Sequence, residues 1–257
     1  MKQLRELYHY REMIYMLVKR ELRGRYKGSV LGFFWTFLNP LLQLTVYTMV
    51  FSFIMRAGIE NYHIFLFVAL IPWIFLATSV QGGSTCILGQ KSMVSKIYFP
   101  RQVLPIAHVT TCFVNMLLCF IVVFIVVALS IGLKGVLLIY LIPIMLIEYL
   151  VALGLTFIVS AVTVYFRDME HILGIVVMAW QFLTPVMYSI DMVPEEMRGV
   201  FVLNPMTSVI SAYRAVLYYQ TMPEAGTMLS ALVMGVVSLI VGWFLFERLQ
   251  RNFAEEL

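Results

Sequence analysis

The groups best suited to chemistry in this sequence are a few charged residues set in long apolar runs. Glu148 lies near the centre of one such run, residues 135–166. A carboxylate at that depth in a membrane is costly, which makes it a candidate functional group by default. It would suit a proton relay, and His108 and Gln181 are the candidate partners for such a relay.

A second candidate is the basic cluster of Arg23, Arg25 and Lys27, which directly precedes the uncharged residues 28–55. Clustered basic groups suit phosphate oxygens, so the three side chains could hold a diphosphate group. The same cluster is also what ordinary positive-inside anchoring requires of a cytoplasmic flank. Both interpretations remain open, and both place the cluster in the cytoplasm.

Signatures of catalysis are weak. Arg167, Asp168, Glu170 and His171 have neither zinc-ligand spacing nor a base beside a nucleophile, and a polar loop or helix cap also explains them. The phosphate-binding pattern GxxxxGK[ST] is absent, because the dipeptide Gly-Lys occurs nowhere in the chain. We therefore predict a protein that is not an enzyme and binds no cofactor or metal; a membrane-embedded lipid-linked sugar enzyme is a distant alternative.

The composition is that of a polytopic membrane protein. Of the 257 residues, 61% are hydrophobic and 12% are charged, with a mean hydropathy of +0.90, which excludes a soluble globular domain. We predict one all-α domain with a cytoplasmic amphipathic interface helix (1–27), six spans (28–246) and a cytoplasmic tail (247–257). The spans are predicted at residues 28–55, 62–88, 102–133, 135–166, 172–190 and 225–246.

Local features refine this topology. Pro40 is expected to kink the first span, and Pro105 to follow a short interfacial piece ahead of the third. The small residues GGSTCILG, 82–89, predict a helix-packing face. Residues 191–224 contain an apolar stretch that is too short to cross the membrane and is broken at Asn204-Pro205. We predict that this segment lies on the outer side of the membrane and forms one or two re-entrant helices.

The distribution of positive charge sets the orientation. Of the 18 lysines and arginines, 14 fall in the segments that the six-span topology places in the cytoplasm. This asymmetry predicts cytoplasmic N- and C-termini. It also explains the net charge of +4 without nucleic-acid binding.

Four segments carry a family resemblance, which covers essentially the whole chain. They are RYKGSVLGFFWTFLNPLLQLTVYTMVFS from Arg25, YFPRQVLP from Tyr98, YFRDMEHI from Tyr165 and LNPMTSVISAYR from Leu203. Together they resemble the permease subunit of ABC type 2 exporters for O-antigen, capsule or teichoic acid. The resemblance implies a homodimer in the bacterial cytoplasmic membrane, two copies of a separate ATPase that binds ATP and Mg, and a polyprenyl-linked glycan as substrate.

The resemblance also nominates residues for two surfaces. The outer re-entrant segment would contain Asn204, Pro205, Tyr213 and Arg214. The contact with the ATPase would lie in two short cytoplasmic loops and include Lys91, Lys96, Tyr98, Phe99, Pro100, Arg101, Arg167, Asp168 and Glu170. In such a permease Arg23, Arg25 and Lys27 would hold the diphosphate of the lipid anchor, and Glu148 would be a structural group facing the dimer or channel.

Aromatic rings offer flat apolar faces on which sugars stack, so they are candidates for a polymer path. The candidates are Phe33, Phe34, Trp35, Trp73, Phe75 and Tyr188. For any one ring, packing against lipid or a place in the interfacial aromatic belt is the alternative, above all for Trp73 and Tyr188 near the predicted outer ends. A proton-coupled secondary transporter that uses Glu148 is the alternative function.

Overall fold

The structure, a computed structural model, describes residues 2–24, 28–54 and 58–256. Every regular element in these residues is helical, so the predicted all-α class is confirmed for them. The α-helices are α1 (Lys2–His9), α2 (Arg11–Gly24), α3 (Trp35–Thr48), α4 (Tyr62–Thr85), α5 (Lys91–Lys96), α6 (Val103–Ser130), α7 (Leu141–Tyr165), α8 (Met169–Phe182), α9 (Glu195–Val202), α10 (Pro205–Leu217), α11 (Ala225–Leu249) and α12 (Phe253–Glu256). Short 3-10 helices lie at Gly32–Phe34, Leu88–Gln90, Gly135–Tyr140, Ile190–Met192 and Gln250–Asn252, and a π-helix lies at Met49–Ile54.

The central helix is α4. Its residues are apolar on every side, and a helix of that kind must be covered all round by protein or lipid. Here protein covers it, because α3, α6, α7, α8 and α10 all pack against it. Every side chain from Ile64 to Leu70 is at most 2% exposed.

Four of the six predicted spans are confirmed as helices long and apolar enough to cross a membrane: α4, α6, the continuous segment Gly135–Tyr165 and the segment Ala225–Asn252. The first predicted span is a composite of a 3-10 helix, α3 and a π-helix, and α3 continues through Pro40. The fifth is shorter than predicted, since α8 has 14 residues and ends at Phe182 rather than at Ile190.

Two local predictions are wrong. Pro105 does not follow a separate interfacial piece; it lies in the first turn of α6, where a helix tolerates proline because the missing N–H has no intrahelical partner. The N-terminal segment is two helices rather than one. At the junction, the Tyr10 hydroxyl donates a hydrogen bond to the Tyr98 carbonyl oxygen at 3.4 Å, a tertiary contact that amphipathic periodicity does not reveal.

The predicted packing face of small residues is confirmed. A Cβ at Gly82 would lie 2.8 Å from Cε1 of His108, and one at Gly83 would overlap the Thr156 side chain. A similar close contact joins α7 and α11, where a Cβ at Gly242 would overlap the Gly154 carbonyl group. Small residues let helix backbones approach this closely in membranes.

Candidate functional site

Both described ends of the chain meet at one end of the helix bundle, which we call the terminal end. There Tyr10 contacts Tyr98, and the Arg101 guanidinium donates a hydrogen bond to the Gln250 carbonyl oxygen. The opposite end, which we call the loop end, is joined by the Tyr218 hydroxyl, which donates to the Glu60 carbonyl oxygen at 2.6 Å. The predicted site residues divide between these two ends and the space between them.

At the terminal end, Phe253 of α12 joins the two loops predicted to contact the ATPase. Its fully buried ring lies 6.2 Å from the Tyr165 ring and 5.7 Å from the Arg101 guanidinium carbon. The Tyr165 hydroxyl also donates to the Leu249 carbonyl oxygen at 2.7 Å. Burial lowers the pKa of Arg101 from its ordinary value, although an arginine stays protonated at neutral pH. The C-terminal turns that contain Leu249 and Phe253 therefore contact both of these loops and hold them together.

A groove of about 510 Å³ lies beside this junction, between the 94–102 segment and Gln250 with Arg251. Tyr98, at 87% exposed, presents an aromatic ring there. Most of the predicted ATPase-contact residues are exposed: Lys91, Lys96, Tyr98, Arg167, Asp168 and Glu170. Phe99 differs, because it is buried in the core and can only position the loop that carries the others.

The basic cluster is described only in part. Arg23 is exposed at the end of α2, and it lines a surface groove with Lys19 and Arg20. Arg25 and Lys27 lie outside the described residues, so the phosphate site stays a prediction. Helix α2 contacts α6, where Nδ1 of His108 lies 3.0 Å from a Glu21 carboxylate oxygen.

The candidate aromatic residues do not form one continuous surface. Phe33, Phe34 and Trp35 are exposed at the start of α3. Trp73 lies in the middle of α4, is 2% exposed and packs edge-on against Trp180 at 5.9 Å between ring centroids. This burial within the chain does not fit an outer aromatic-belt position, which was the alternative to a place in the polymer path for Trp73.

The remaining two candidates have local roles in the structure. Phe75 is buried and packs edge-on against Phe113, with ring centroids 5.7 Å apart. Tyr188 is half-buried and donates a hydrogen bond to the Phe182 carbonyl oxygen at 2.6 Å. Phe75 shares a cavity with Trp35, so these two are the candidates that the structure brings together.

The predicted break at Asn204-Pro205 is confirmed, and the re-entrant placement of the two helices stays a prediction. Helices α9 and α10 meet at an angle of 97° at Asn204-Pro205. Asn204 caps α10, because its side-chain oxygen accepts from the Met206 N–H at 3.0 Å, and Pro205 occupies the first helical position. The same oxygen accepts from the Trp180 indole at 3.0 Å, and the Asn204 amide nitrogen donates to Thr184 at 2.8 Å. The break is thus tied to the end of α8.

Arg214 makes a second contact between α10 and the segment that follows α8. Its guanidinium donates to the carbonyl oxygens of Pro185 at 2.6 Å, Val186 at 2.7 Å and Tyr188 at 3.2 Å. The guanidinium carbon also lies 3.5 Å from the centroid of the Phe65 ring, a cation–π geometry. The buried charge is thus held by oriented carbonyl dipoles in the segment that follows α8, and sequence reasoning missed both Phe65 and these acceptors.

Glu148 has a partner other than those considered from sequence. The Tyr213 hydroxyl of α10 donates to its Oε2 at 2.7 Å, and both side chains are fully buried. The ring of Tyr213 stacks on Phe120, with centroids 5.4 Å apart. His108 instead faces Glu21, so the proposed pairing of Glu148 with His108 is wrong.

The described residues contain no group of three or more His, Cys, Asp or Glu side chains that could hold a metal ion. The three cysteines form no disulfide within the described residues, and Cys112 and Cys119 are buried. The candidate residues mainly make contacts between helices, and those at the terminal end form an exposed surface of mixed charge.

A chain whose described residues include four apolar helices of spanning length is a multi-pass membrane protein. The sequence profile of the ABC-2 type transporter family matches residues 12–218, so the chain belongs to that family and is a transporter membrane domain. The family resemblance predicted from the four sequence segments is confirmed.

Curated relatives agree over nearly the full length. The chain is 38% identical over 257 residues to the O-antigen export system permease protein RfbA of Myxococcus xanthus, covering 99% of this chain and 98% of that protein. It is 30% identical over 254 residues to the RfbA of Klebsiella pneumoniae, covering 96% and 95%. It is 24% identical over 239 residues to the polysialic acid transport protein KpsM of Escherichia coli, covering 90% of each.

Proposed function

We propose that this chain is the membrane subunit of an ATP-driven exporter that moves a lipid-linked polysaccharide out of the bacterial cytoplasm. The observation that carries this proposal is its similarity, along almost the entire chain, to proteins named for O-antigen export and for polysialic acid transport. The substrate class is a polymer of O-antigen, capsule or teichoic-acid type, carried on a polyprenyl lipid.

The proposed topology has six membrane crossings and both chain ends in the cytoplasm. Beyond the four long helices, α3 with its flanking 3-10 and π turns would be the first crossing and α8 the fifth. Positive charge concentrated at the terminal end supports its cytoplasmic placement. Exposed apolar residues of α11, including Val237, Ile240 and Phe244, support contact of this helix with lipid or with a second copy of the chain.

The ATPase would bind at the terminal end, in two copies for a homodimer of this chain, and would itself hold the ATP and Mg. The groove beside Tyr98 and the exposed turn of residues 166–168 are the surfaces available for that contact. Phe253 joins both, which supports a single docking platform rather than two independent loops. The absence of a GxxxxGK[ST] pattern from the sequence also supports a separate source of energy.

The test is export by a purified complex. The chain would be co-expressed with a cognate ATP-binding subunit, reconstituted into vesicles and supplied with a lipid-linked glycan, with ATP added to the side that carries the ATPase. We expect glycan translocation that needs ATP and stops when the ATPase carries an inactivating substitution. Transport that survives that substitution but collapses with the proton gradient would refute the proposal and favour a proton-coupled transporter.

A further inference from the structure

A cavity of about 280 Å³ lies within the helix bundle, between α3, α4 and α6. Its lining contains no charged side chain but includes two amides and two hydroxyl groups among apolar and aromatic residues. The lining residues that matter are Trp35, Thr36, Asn39, Phe75, Thr78 and Asn115. A lining of this kind suits a neutral ligand that has both polar groups and an apolar face.

Asn115 is the unusual residue of this cavity. It is 9% exposed, and within the described residues neither its side-chain nitrogen nor its side-chain oxygen has a hydrogen-bond partner. A buried amide without partners is destabilising, and almost all buried polar atoms in proteins are paired. The amide therefore has two donor hydrogens and an acceptor oxygen that no described protein group satisfies.

Two polar groups near Asn115 are already satisfied. Pro40 has no N–H to donate to the carbonyl oxygen of Thr36, and the Cys119 thiol donates to that oxygen instead at 3.3 Å. The Thr78 hydroxyl donates to the Ile74 carbonyl oxygen at 2.7 Å. The sequence thus compensates for the proline but leaves the Asn115 amide open.

We propose that this cavity binds one neutral sugar ring of the exported glycan, with Oδ1 of Asn115 accepting from one hydroxyl and Nδ2 donating to its neighbour. The rings of Trp35 and Phe75 supply apolar surface for the sugar's C–H face. At about 280 Å³, the cavity is just below the roughly 300–1,000 Å³ of drug-sized ligand sites, which fits one ring rather than an oligosaccharide. The inference rests on the proposed glycan export and adds a named sugar site to it.

The test is photo-labelling of the permease–ATPase complex in lipid nanodiscs, without nucleotide. The probe is an alkyl glucoside with a diazirine in its alkyl chain, and the control probe carries a methyl ether in place of the sugar. We expect the glucoside to label peptides of α3, α4 and α6 about tenfold more than the ether does, a ratio that corresponds to ~1.4 kcal/mol. Equal labelling by the two probes would overturn the proposal, because it would define a lipid-chain pocket.

Variants then assign the labelling to Asn115. Asn115→Leu should reduce glucoside labelling to the level of the ether. Asn115→Ala should do the same, and it replaces the leucine variant as the test if that variant does not fold. The matched control is Ser79→Ala, because Ser79 also has a buried hydroxyl with no partner among the described residues but does not line the cavity. This variant should label like the wild type. Undiminished labelling of either folded Asn115 variant would overturn the proposal. Since no transport step is measured, failed ATP-driven export with normal labelling would count against the proposed function and not against this site.

Discussion

The hydrogen bond between Tyr213 and Glu148 gives the sharpest prediction for stability. Tyr213→Phe removes the hydroxyl that donates to Glu148 at 2.7 Å and keeps the ring that stacks on Phe120. Within the described residues the other carboxyl oxygen of Glu148 already has no partner. The substitution therefore leaves a fully buried carboxyl group with no described hydrogen bond.

The size of the effect follows from that loss. Hydrogen bonds between membrane helices average about 0.6 kcal/mol and reach about 1.7 kcal/mol, and leaving a buried polar group unpaired costs about 1–3 kcal/mol. We expect Tyr213→Phe to lower the free energy of unfolding by about 1–2 kcal/mol, or roughly 5- to 30-fold in the ratio of folded to unfolded protein. Glu148→Leu, which orphans the tyrosine hydroxyl, should have a loss of similar size.

The assay is a double-mutant cycle, with unfolding followed in mixed detergent micelles. Because the double variant replaces both polar partners by apolar groups, we expect it to recover most of the loss. If the loss of stability in the double variant equals the sum of the two single-variant losses to within about 0.3–0.5 kcal/mol, direct coupling between the two side chains is refuted. Export by the folded double variant would further separate a structural Glu148 from a proton relay, since a relay cannot work without the carboxyl group.

Two further predictions concern packing at other places in the bundle. Phe253→Ala should release the C-terminal segment from the bundle, since truncating a buried phenylalanine costs about 3–5 kcal/mol. We expect faster proteolysis of this segment and weaker co-purification of the ATPase. The control, Asn252→Ala at an exposed position, should change neither. Gly242→Ala should lower the unfolding midpoint because a Cβ there would overlap the Gly154 carbonyl group, whereas Gly174→Ala, with nothing within 4 Å, should leave it unchanged or raise it. A higher midpoint for Gly242→Ala, or a tail unaffected by Phe253→Ala, would contradict these contacts.

The elements that sequence predicted well are those set by local composition. An uncharged run of sufficient length gave α4, and Asn204-Pro205 gave the break between α9 and α10, because proline fixes the start of one helix and asparagine caps it. The early end of α8 also had a local signal that was overlooked. Pro185 disfavours helical backbone at the residue before it, and α8 ends at Phe182.

Partners distant in sequence were not predictable in the same way. Glu148 and Tyr213 are 65 residues apart, and nothing in either segment alone selects the other. The burial of Trp73 was hidden for a different reason: a helix that is apolar on every face carries no periodicity to tell which side meets protein and which meets lipid. Asn115 did carry a signal, since an amide inside a long apolar run requires a partner.

Helix α8 connects the two ends of the molecule. It begins at the exposed turn of residues 166–168 at the terminal end, and its last turn leads into the carbonyl groups held by Arg214 and the side chains held by Asn204. With 14 residues, it covers about 21 Å at ~1.5 Å per residue. An axial shift of its first turn must either carry those groups with it or break the hydrogen bonds that Arg214 and Asn204 make. Helices α9 and α10 and the terminal-end surface are therefore not mechanically independent.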